Sequence, residues 1–270
     1  MGHPRLWEGP VYVEDYAQFP GALRPYVENG LRSALLVPLR PEGRRYGVLA
    51  LGSFEERVPY NPKDEKVLRL VAKRLEEALE RLSHLRALDL SREAALKALG
   101  QVLEYRDLET KGHTERVVEL ALRLGRAVGF PDLEGLRLGA YFHDLGKLAL
   151  PDEILRKPTV LHPDEWRVVK THPQVGLEIL KNLPFLPQTA LNVVLYHHER
   201  WDGSGYPRGL KREEIPLEAR IFAVADVYDA LLSPRPYKRA WMVEEAKKEL
   251  GAQAGKGLDP KLVAVFLDLV

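Results

Sequence analysis

The stretch GAYFHDLGKLAL, residues 139–150, is the centre of the pattern that decides the fold. It places His143 and Asp144 side by side in an otherwise apolar segment with helical spacing. A carboxylate in such a segment is costly to bury unless it is paired or bound to a metal ion. Lys147 follows His143 by four residues, so a helix would bring its ammonium group beside this pair, where it could meet an anionic oxygen.

Outward from this stretch, the same residue types recur in helical segments. They are His113, His172, His197, His198 and Asp226. Each histidine alone fits a structural role better than a ligand role, but the set as a whole favours a metal site. With no cysteine in the chain, imidazoles and carboxylates predict a site with nitrogen and oxygen ligands. The ligands exceed what one ion takes, so we expect at least two ions. Glu109 lies four residues before His113, which on a helix places both on one face.

Residues 197–210, HHERWDGSGYPRGL, follow directly with a different composition. Three glycines and a proline predict a loop. Its aromatic and cationic side chains are Arg200, Trp201, Tyr206 and Arg208. Stacking faces and positive charge next to candidate ligands are typical of a lid over a nucleotide base and phosphate. The alternative is an ordinary surface turn.

The rest of the chain predicts an α+β protein with three parts. Residues 104–270 show helical spacing punctuated by Pro and Gly, which predicts one all-α domain. Residues 1–61 contain SALLVPL (33–39) and GVLALGS (47–53), which predict a strand, a turn and a strand in a small, partial α/β domain. So few strands need a cover to be stable. Residues 62–103 predict a long connecting helix, with Asn61 as N-cap and Pro62 in the first turn.

The connecting helix carries an apolar seam at heptad spacing. Its members are Leu68, Val71, Leu75, Ala78, Leu82 and Leu85. About three heptads are compatible with an amphipathic helix packed on its own domain, and equally with a parallel two-helix coiled coil. The second interpretation predicts a homodimer through residues 63–103.

The ordered series of His, Asp and GYP motifs resembles the HD-domain phosphohydrolase superfamily, and HHERWDGSGYP resembles the signature of its HD-GYP branch. The resemblance covers about residues 100–270. It implies a bacterial phosphodiesterase with two or three divalent metal ions, iron or manganese. The enzyme would hydrolyse cyclic di-GMP to pGpG, and further to GMP, by attack of a metal-bridging hydroxide. Residues 9–90 resemble the second half of a GAF domain.

The same resemblance implies roles for individual residues. The implied metal ligands are Glu109 (for a third ion), His113, His143, Asp144, His172, His197, His198 and Asp226. Asp144 would bridge two ions, Lys147 would lie near the scissile phosphate, and Arg235 would contact a substrate phosphate. Asp229 occupies a position where some members carry lysine, so no substrate contact is assigned to it.

Composition narrows the alternatives. The net charge is +1, from 40 Lys and Arg against 39 Asp and Glu, which argues against binding polymeric nucleic acid or a charged membrane surface. No signal core or membrane-length apolar run occurs, so we expect a cytoplasmic protein. Three alternatives share the fold: a hydrolase of cyclic GMP-AMP, a nucleotidase and a non-catalytic cyclic-dinucleotide sensor. The GYP loop argues against the nucleotidase, and the intact ligand set argues against the sensor.

Overall fold

The computed structural model describes residues 4–107, 111–234 and 240–270. Glu109 and Arg235 therefore lie outside the described residues. The chain divides into two compact units, residues 1–92 and 93–270. Among the described residues, no helix combines the length and the apolar composition needed to cross a membrane.

The first unit is built on a three-stranded antiparallel meander. Its strands are β1 (Val11–Val13), β2 (Ser33–Leu39) and β3 (Gly47–Ser53), in the order β1-β2-β3. Short helical segments accompany it at Pro4–Trp7, Tyr16–Gln18, α1 (Arg24–Glu28) and Pro41–Gly43. The predicted strand, turn and strand are confirmed, with Leu36 of β2 opposite Val11 and Ala50.

Strand β2 is apolar from Ala34 to Leu39, and both of its faces are covered. Leu35 and Val37 point to one side, where they pack with Leu68 and Ala72 of the following helix. On the other side, Leu36 packs in a cluster with Leu6, Val13, Tyr16, Leu31 and Ala34. A strand buried on both faces loses the polar alternation of a half-exposed strand. This cover supplies what so small a sheet needs for stability.

Helix α2 runs from Pro62 to Asp107 and begins at the predicted cap. The Asn61 side chain accepts hydrogen bonds from the backbone N–H groups of Lys63 (2.8 Å) and Asp64 (3.2 Å). The Asp64 carboxylate in turn accepts from the Asn61 N–H at 2.8 Å, which completes a reciprocal cap. Leu68 is only 8% exposed, whereas Leu82 and Leu85 are each 53% exposed. The seam is therefore covered within the first unit only near its start.

Among its described residues, the second unit contains helices and loops but no β-strand, as predicted. Its α-helices are α3 (His113–Ala127), α4 (Leu133–Phe142), α5 (Asp152–Leu155), α6 (Pro163–Val169), α7 (His172–Leu180), α8 (Gln188–Tyr196), α9 (Leu217–Leu232), α10 (Val243–Gln253) and α11 (Pro260–Leu269). Short 3-10 turns lie at Leu145–Ala149 and Arg212–Glu214. The core lies between α3, α4, α8 and α9, and Leu124, Leu136 and Phe222 are fully buried in it.

Helix α3 begins at His113, directly after Gly112 with its left-handed φ of 78°, and Glu109, expected on the same helix face as His113, lies outside the described residues. The expectation of one continuous helix through His143 and Lys147 is wrong. Helix α4 ends at Phe142, and the chain then turns into the 3-10 segment that carries Lys147. His143 and Asp144 therefore stand at a corner between two elements, where side chains can point into a site.

Candidate metal centre

Seven histidine and aspartate side chains meet in the second unit in two groups, each of which could hold a metal ion. One group contains Asp144, His172, His197 and His198, and the other contains His113, His143 and Asp226. Within each group the potential ligand atoms lie within 4.8 Å of one another. The sequence thus identified every member of both groups.

Asp144 links the two groups because its two oxygens face different histidines. Its Oδ2 lies 3.0 Å from Nε2 of His143. Its Oδ1 lies 3.3 Å from Nε2 of His172 and 3.7 Å from Nε2 of His197. This Oδ1 is buried and accepts no hydrogen bond from the described part of the chain. An orphaned carboxylate oxygen among converging imidazoles is costly in a protein interior, and it fits a divalent metal ion.

Backbone carbonyls orient three of the imidazoles. In His143, His172 and His197, Nδ1 donates to the carbonyl oxygen three residues earlier, at 2.8, 2.8 and 2.9 Å. A carbonyl can only accept, so in the neutral imidazole the proton sits on Nδ1 and the lone pair of Nε2 faces the site. Each of these histidines stands at a helix end, where such a carbonyl is within reach. The donor set is therefore held in the tautomer that binds a metal ion.

A carboxylate from α9 orients the fourth imidazole. Oδ2 of Asp229 lies 2.7 Å from Nδ1 of His113. Both oxygens of Asp229 also accept from Arg116, from Nε at 2.6 Å and from Nη2 at 3.0 Å. Burial raises the pKa of the Asp229 carboxyl, but the hydrogen bonds from His113 and Arg116 outweigh it and hold the pKa below its ordinary value. Asp229 had no role assigned from the sequence, although its spacing of three from Asp226 puts both on one face of α9.

Burial and neighbouring charges shift the pKa values of these imidazoles in different directions. Burial opposes protonation of His143, but the carboxylate of Asp144 outweighs it and raises the pKa of His143 to about 9. Burial also favours the neutral form of Asp144, yet His143 and Lys147 hold its pKa well below the ordinary value. Burial lowers the pKa of both His197 and His198. The last two are therefore neutral near pH 7, the state in which imidazole binds a metal ion.

Lys147 lies beside Asp144, on a 3-10 turn and not on the expected continuous helix. Its Nζ lies 2.7 Å from Oδ2 of Asp144, across one turn of 3-10 helix. Gly146 permits the close packing behind this contact, because a Cβ there would lie 1.9 Å from the carbonyl oxygen of His172. Any larger residue at this position would clash with the backbone of His172 and Gly176.

The loop that follows His198 folds back over it. The ring of Tyr206 stacks on the imidazole of His198 with centroids 4.7 Å apart and planes 26° apart. Glu199, only 4% exposed, holds the loop by accepting hydrogen bonds from the backbone N–H groups of Arg208 (2.7 Å) and Leu210 (3.0 Å). Glu199 was not among the residues singled out from the sequence. An acidic residue between the ligand pair and a glycine-rich loop was the available signal.

A cavity of about 840 Å³ opens beside the two groups and is lined by His197 and His198 of the first and by Asp226 of the second. Its wall includes Arg200 and Tyr206, two of the predicted substrate-binding residues, together with His198 and Asp226. Its described wall does not include Trp201, whose ring packs instead under the guanidinium of Arg220 at 5.8 Å. It does not include Arg208 either, whose backbone serves Glu199. The volume falls within the range of small-molecule sites.

Comparisons with known proteins agree with this geometry. Residues 97–262 match the HD domain family, and residues 5–80 match the GAF domain family. A protein of Thermotoga maritima named cyclic di-GMP phosphodiesterase is 46% identical over 178 residues, which are 64% of this chain and 48% of that protein. A Vibrio cholerae protein named 3'3'-cGAMP-specific phosphodiesterase 2 is 41% identical over 173 residues, 63% of this chain and 33% of that protein. The chain thus spans about half or less of these relatives.

A solved structure supports the fold alone. The crystal structure of a cyclic GMP-AMP specific phosphodiesterase from V. cholerae aligns with a TM-score of 0.53 at 21% identity, covering 65% of this chain and 47% of that one. Together with the sequence matches, it confirms the expected resemblance of residues 100–270, and the GAF match confirms the one expected near the N-terminus.

Proposed function

This chain belongs to the HD domain family, and we propose that it is a phosphodiesterase that hydrolyses cyclic di-GMP to pGpG, and further to GMP. The observation that carries the proposal is the carboxylate of Asp144, whose two oxygens face two adjoining groups of metal-ligating side chains. The name of the Thermotoga maritima relative supports this choice of substrate.

We propose that the two groups hold two divalent ions, with Asp144 between them. Imidazoles and carboxylates without thiolates suit iron or manganese, and Glu109 is the proposed ligand of a third ion. When bound, such ions supply Lewis-acid polarisation of the phosphate oxygens and lower the pKa of a water molecule that attacks phosphorus.

The chain's own side chains position and stabilise the phosphate. Lys147 holds a positive charge 2.7 Å from Asp144, at the junction of the two groups, where the phosphate would gain negative charge during attack. Arg200 brings a second cation to the cavity wall. Tyr206 shields His198 from solvent on one face through their stacked rings. Trp201 and Arg208 serve the loop and not the substrate in this proposal, and Arg235 remains the proposed phosphate contact from outside the described residues.

Cyclic GMP-AMP is the second candidate substrate. The Vibrio cholerae relative at 41% identity is named for that activity. Both cyclic dinucleotides present the same phosphodiester linkages and differ in one base. The discrimination therefore rests on base contacts in the cavity and not on the metal-ligating groups.

We propose that two copies of the chain associate through the exposed seam of α2. Leu82 and Leu85 are 53% exposed, and Leu75 is 38% exposed. Their heptad spacing is self-complementary, which favours a second copy of the same helix as the partner.

Chromatography of reaction products tests the proposed activity. Metal-loaded protein, prepared anaerobically with Fe(II) or Mn(II), is incubated with cyclic di-GMP and in parallel with cyclic GMP-AMP. We expect pGpG from the first substrate, and no product from an Asp144→Asn control prepared in the same way. Turnover of cyclic GMP-AMP alone would transfer the assignment to the second candidate. No hydrolysis of either by the loaded protein would contradict the proposal.

A further inference from the structure

The cavity beside the candidate metal centre has a wall that neither the ligand set nor the GYP loop supplies. Helix α6 contributes Trp166 to this wall. The next contribution comes from Lys170, which directly follows the helix and also lines the cavity. The two residues are one helical turn apart, and the N–H of Lys170 donates to the carbonyl of Trp166 at 3.0 Å. Their side chains therefore share a face of α6.

Lys170 brings a cation into the cavity next to Tyr206. Its Nζ lies 5.4 Å from the centroid of the Tyr206 ring. The same Tyr206 ring stacks on the imidazole of His198, so the ammonium and a candidate metal ligand both contact one aromatic ring. Lys157 and Lys181 pair with carboxylates at 2.7 and 2.5 Å, whereas Lys170 forms no ion pair with the described residues. Its charge is thus directed to the cavity and not to a neighbouring acid.

Trp166 supplies a flat apolar surface at the same wall. Its side chain is 45% exposed although it lines a concave site. The acidic residues of α6 are engaged elsewhere, Asp164 with Arg167 at 2.8 Å and Glu165 with Lys157 at 2.7 Å. Repulsion of an anionic ligand by these carboxylates is therefore reduced. An aromatic face beside an available cation has the chemistry that binds a nucleotide base next to a phosphate.

We infer that Trp166 and Lys170 form a subsite for the half of a cyclic dinucleotide that is not being cleaved. The inference rests on the proposed function. A cyclic dinucleotide carries two phosphates and two bases, and a single metal centre engages one phosphate at a time. The second phosphate meets the ammonium of Lys170, and one base stacks on the indole of Trp166. A substrate with one phosphate and no purine base would make neither of these two contacts.

Steady-state kinetics with two substrates test the subsite. Lys170→Ala and Trp166→Ala are compared with the wild type on the cyclic dinucleotide and on bis(p-nitrophenyl) phosphate, which has a single phosphate. We expect KM for the cyclic dinucleotide to rise about tenfold in each variant, from the loss of one charge-assisted contact or one base stack. We expect kcat, metal content and the kinetics on bis(p-nitrophenyl) phosphate to remain unchanged. Lys181→Ala and Phe185→Ala, which alter exposed residues outside the cavity wall, are the matched controls.

Calorimetric binding of cyclic di-GMP to metal-stripped protein separates this inference from the proposed activity. We expect the wild type to bind and Lys170→Ala to bind about tenfold more weakly. If the wild type binds but does not hydrolyse when loaded, the proposed activity fails and the subsite stands. If it hydrolyses while Lys170→Ala matches it in both KM and Kd, the subsite is refuted. Equal losses on both substrates would also refute it, since they would indicate damage to the metal centre.

Discussion

Replacing Asp229 by asparagine tests the hydrogen bonding that holds His113 in place. The change preserves the size of the side chain but exchanges one oxygen for an NH₂ group. Arg116 donates to both oxygens of Asp229, and His113 donates to one of them at 2.7 Å. In either amide orientation the new NH₂ group therefore faces a donor. Arginine does not give up a proton, so relief comes when His113 moves its proton from Nδ1 to Nε2, which removes the lone pair facing the site.

Two magnitudes follow for Asp229→Asn. Loss of an outer hydrogen bond to a ligating histidine typically weakens metal binding by about 10–100-fold, and we expect this range for one of the two ions. A buried donor left against another donor costs about 1–3 kcal/mol of unfolding free energy. Asp229 is 3% exposed, which places the site in the buried regime where these values apply.

Competition with a chromophoric chelator measures the metal affinity, and urea denaturation of metal-free protein measures the stability. Asp268→Asn, on the exposed face of α11, is the matched control and is expected to change neither. Wild-type affinity for both ions in Asp229→Asn, with the stability loss present, would refute the argument. It would mean that the proton position on His113 does not govern binding.

Three further results are expected. The Lys147→Ala variant should keep its metal ions in elemental analysis, because the bound cations balance the charge of the Asp144 carboxylate in place of the ammonium. Its turnover should be about 10²–10³-fold lower. Loss of metal from this variant would contradict the role of Lys147. Leu75→Glu combined with Leu82→Glu should give monomers in light scattering without loss of metal, and a monomeric wild type at tens of micromolar would refute the seam. Burial raises the pKa of Glu93, but Arg137 outweighs it and holds the pKa below the ordinary 4.5. The partly exposed pair of Glu93 and Arg137 should add less than about 1 kcal/mol to the free energy of unfolding. This contribution should be complete above pH 4.5 and fall at lower pH, as Glu93 becomes protonated. Denaturation should then show a wild-type advantage over Glu93→Gln that shrinks on acidification, and a pH-independent difference would contradict it.

The candidate ligands stand out in the sequence because their chemistry is unusual in helical segments. An aspartate in the apolar segment GAYFHDLGKLAL is costly to bury unless it is paired or bound to a metal ion. Each of the other histidines alone fits a structural role, but the set as a whole favours a metal site. The sequence could not show that His143, His172 and His197 each bond a backbone carbonyl three residues earlier. That depends on each histidine standing at a helix end, and helix ends are the least certain part of a sequence-based assignment.

The residues that position the site were harder to predict than those that form it. Asp229 lies 116 residues from His113 in the sequence, and only the packing of α3 on α9 brings them together. Glu199 accepts hydrogen bonds from two backbone N–H groups, and such bonds do not depend on which side chains the partner residues carry. The sequence of the partners therefore does not reveal them. Trp201 was predicted to stack on a base because its loop is rich in aromatic and cationic residues and follows two candidate ligands. In the structure its ring packs against the guanidinium of Arg220. Side-chain direction in a loop depends on contacts that composition does not encode.

In the first unit, the apolar run of β2 predicted a strand, but not that both of its faces are covered. Leu35 and Leu36 point to opposite sides and join different clusters. The alternatives for the seam of α2 also depended on packing. Leu68 is covered by the sheet, as expected for a helix on its own domain, while Leu82 lies where the unit offers no cover.

The number of metal equivalents needed for turnover shows whether the two groups of candidate ligands act as one centre. Metal-stripped protein is titrated anaerobically with Mn(II), and the initial rate of cyclic di-GMP hydrolysis is recorded at each addition. If Asp144 joins two occupied groups in one reactive centre, activity stays low through the first equivalent and rises steeply as the second binds. A rate that reaches its plateau at one equivalent would contradict the account.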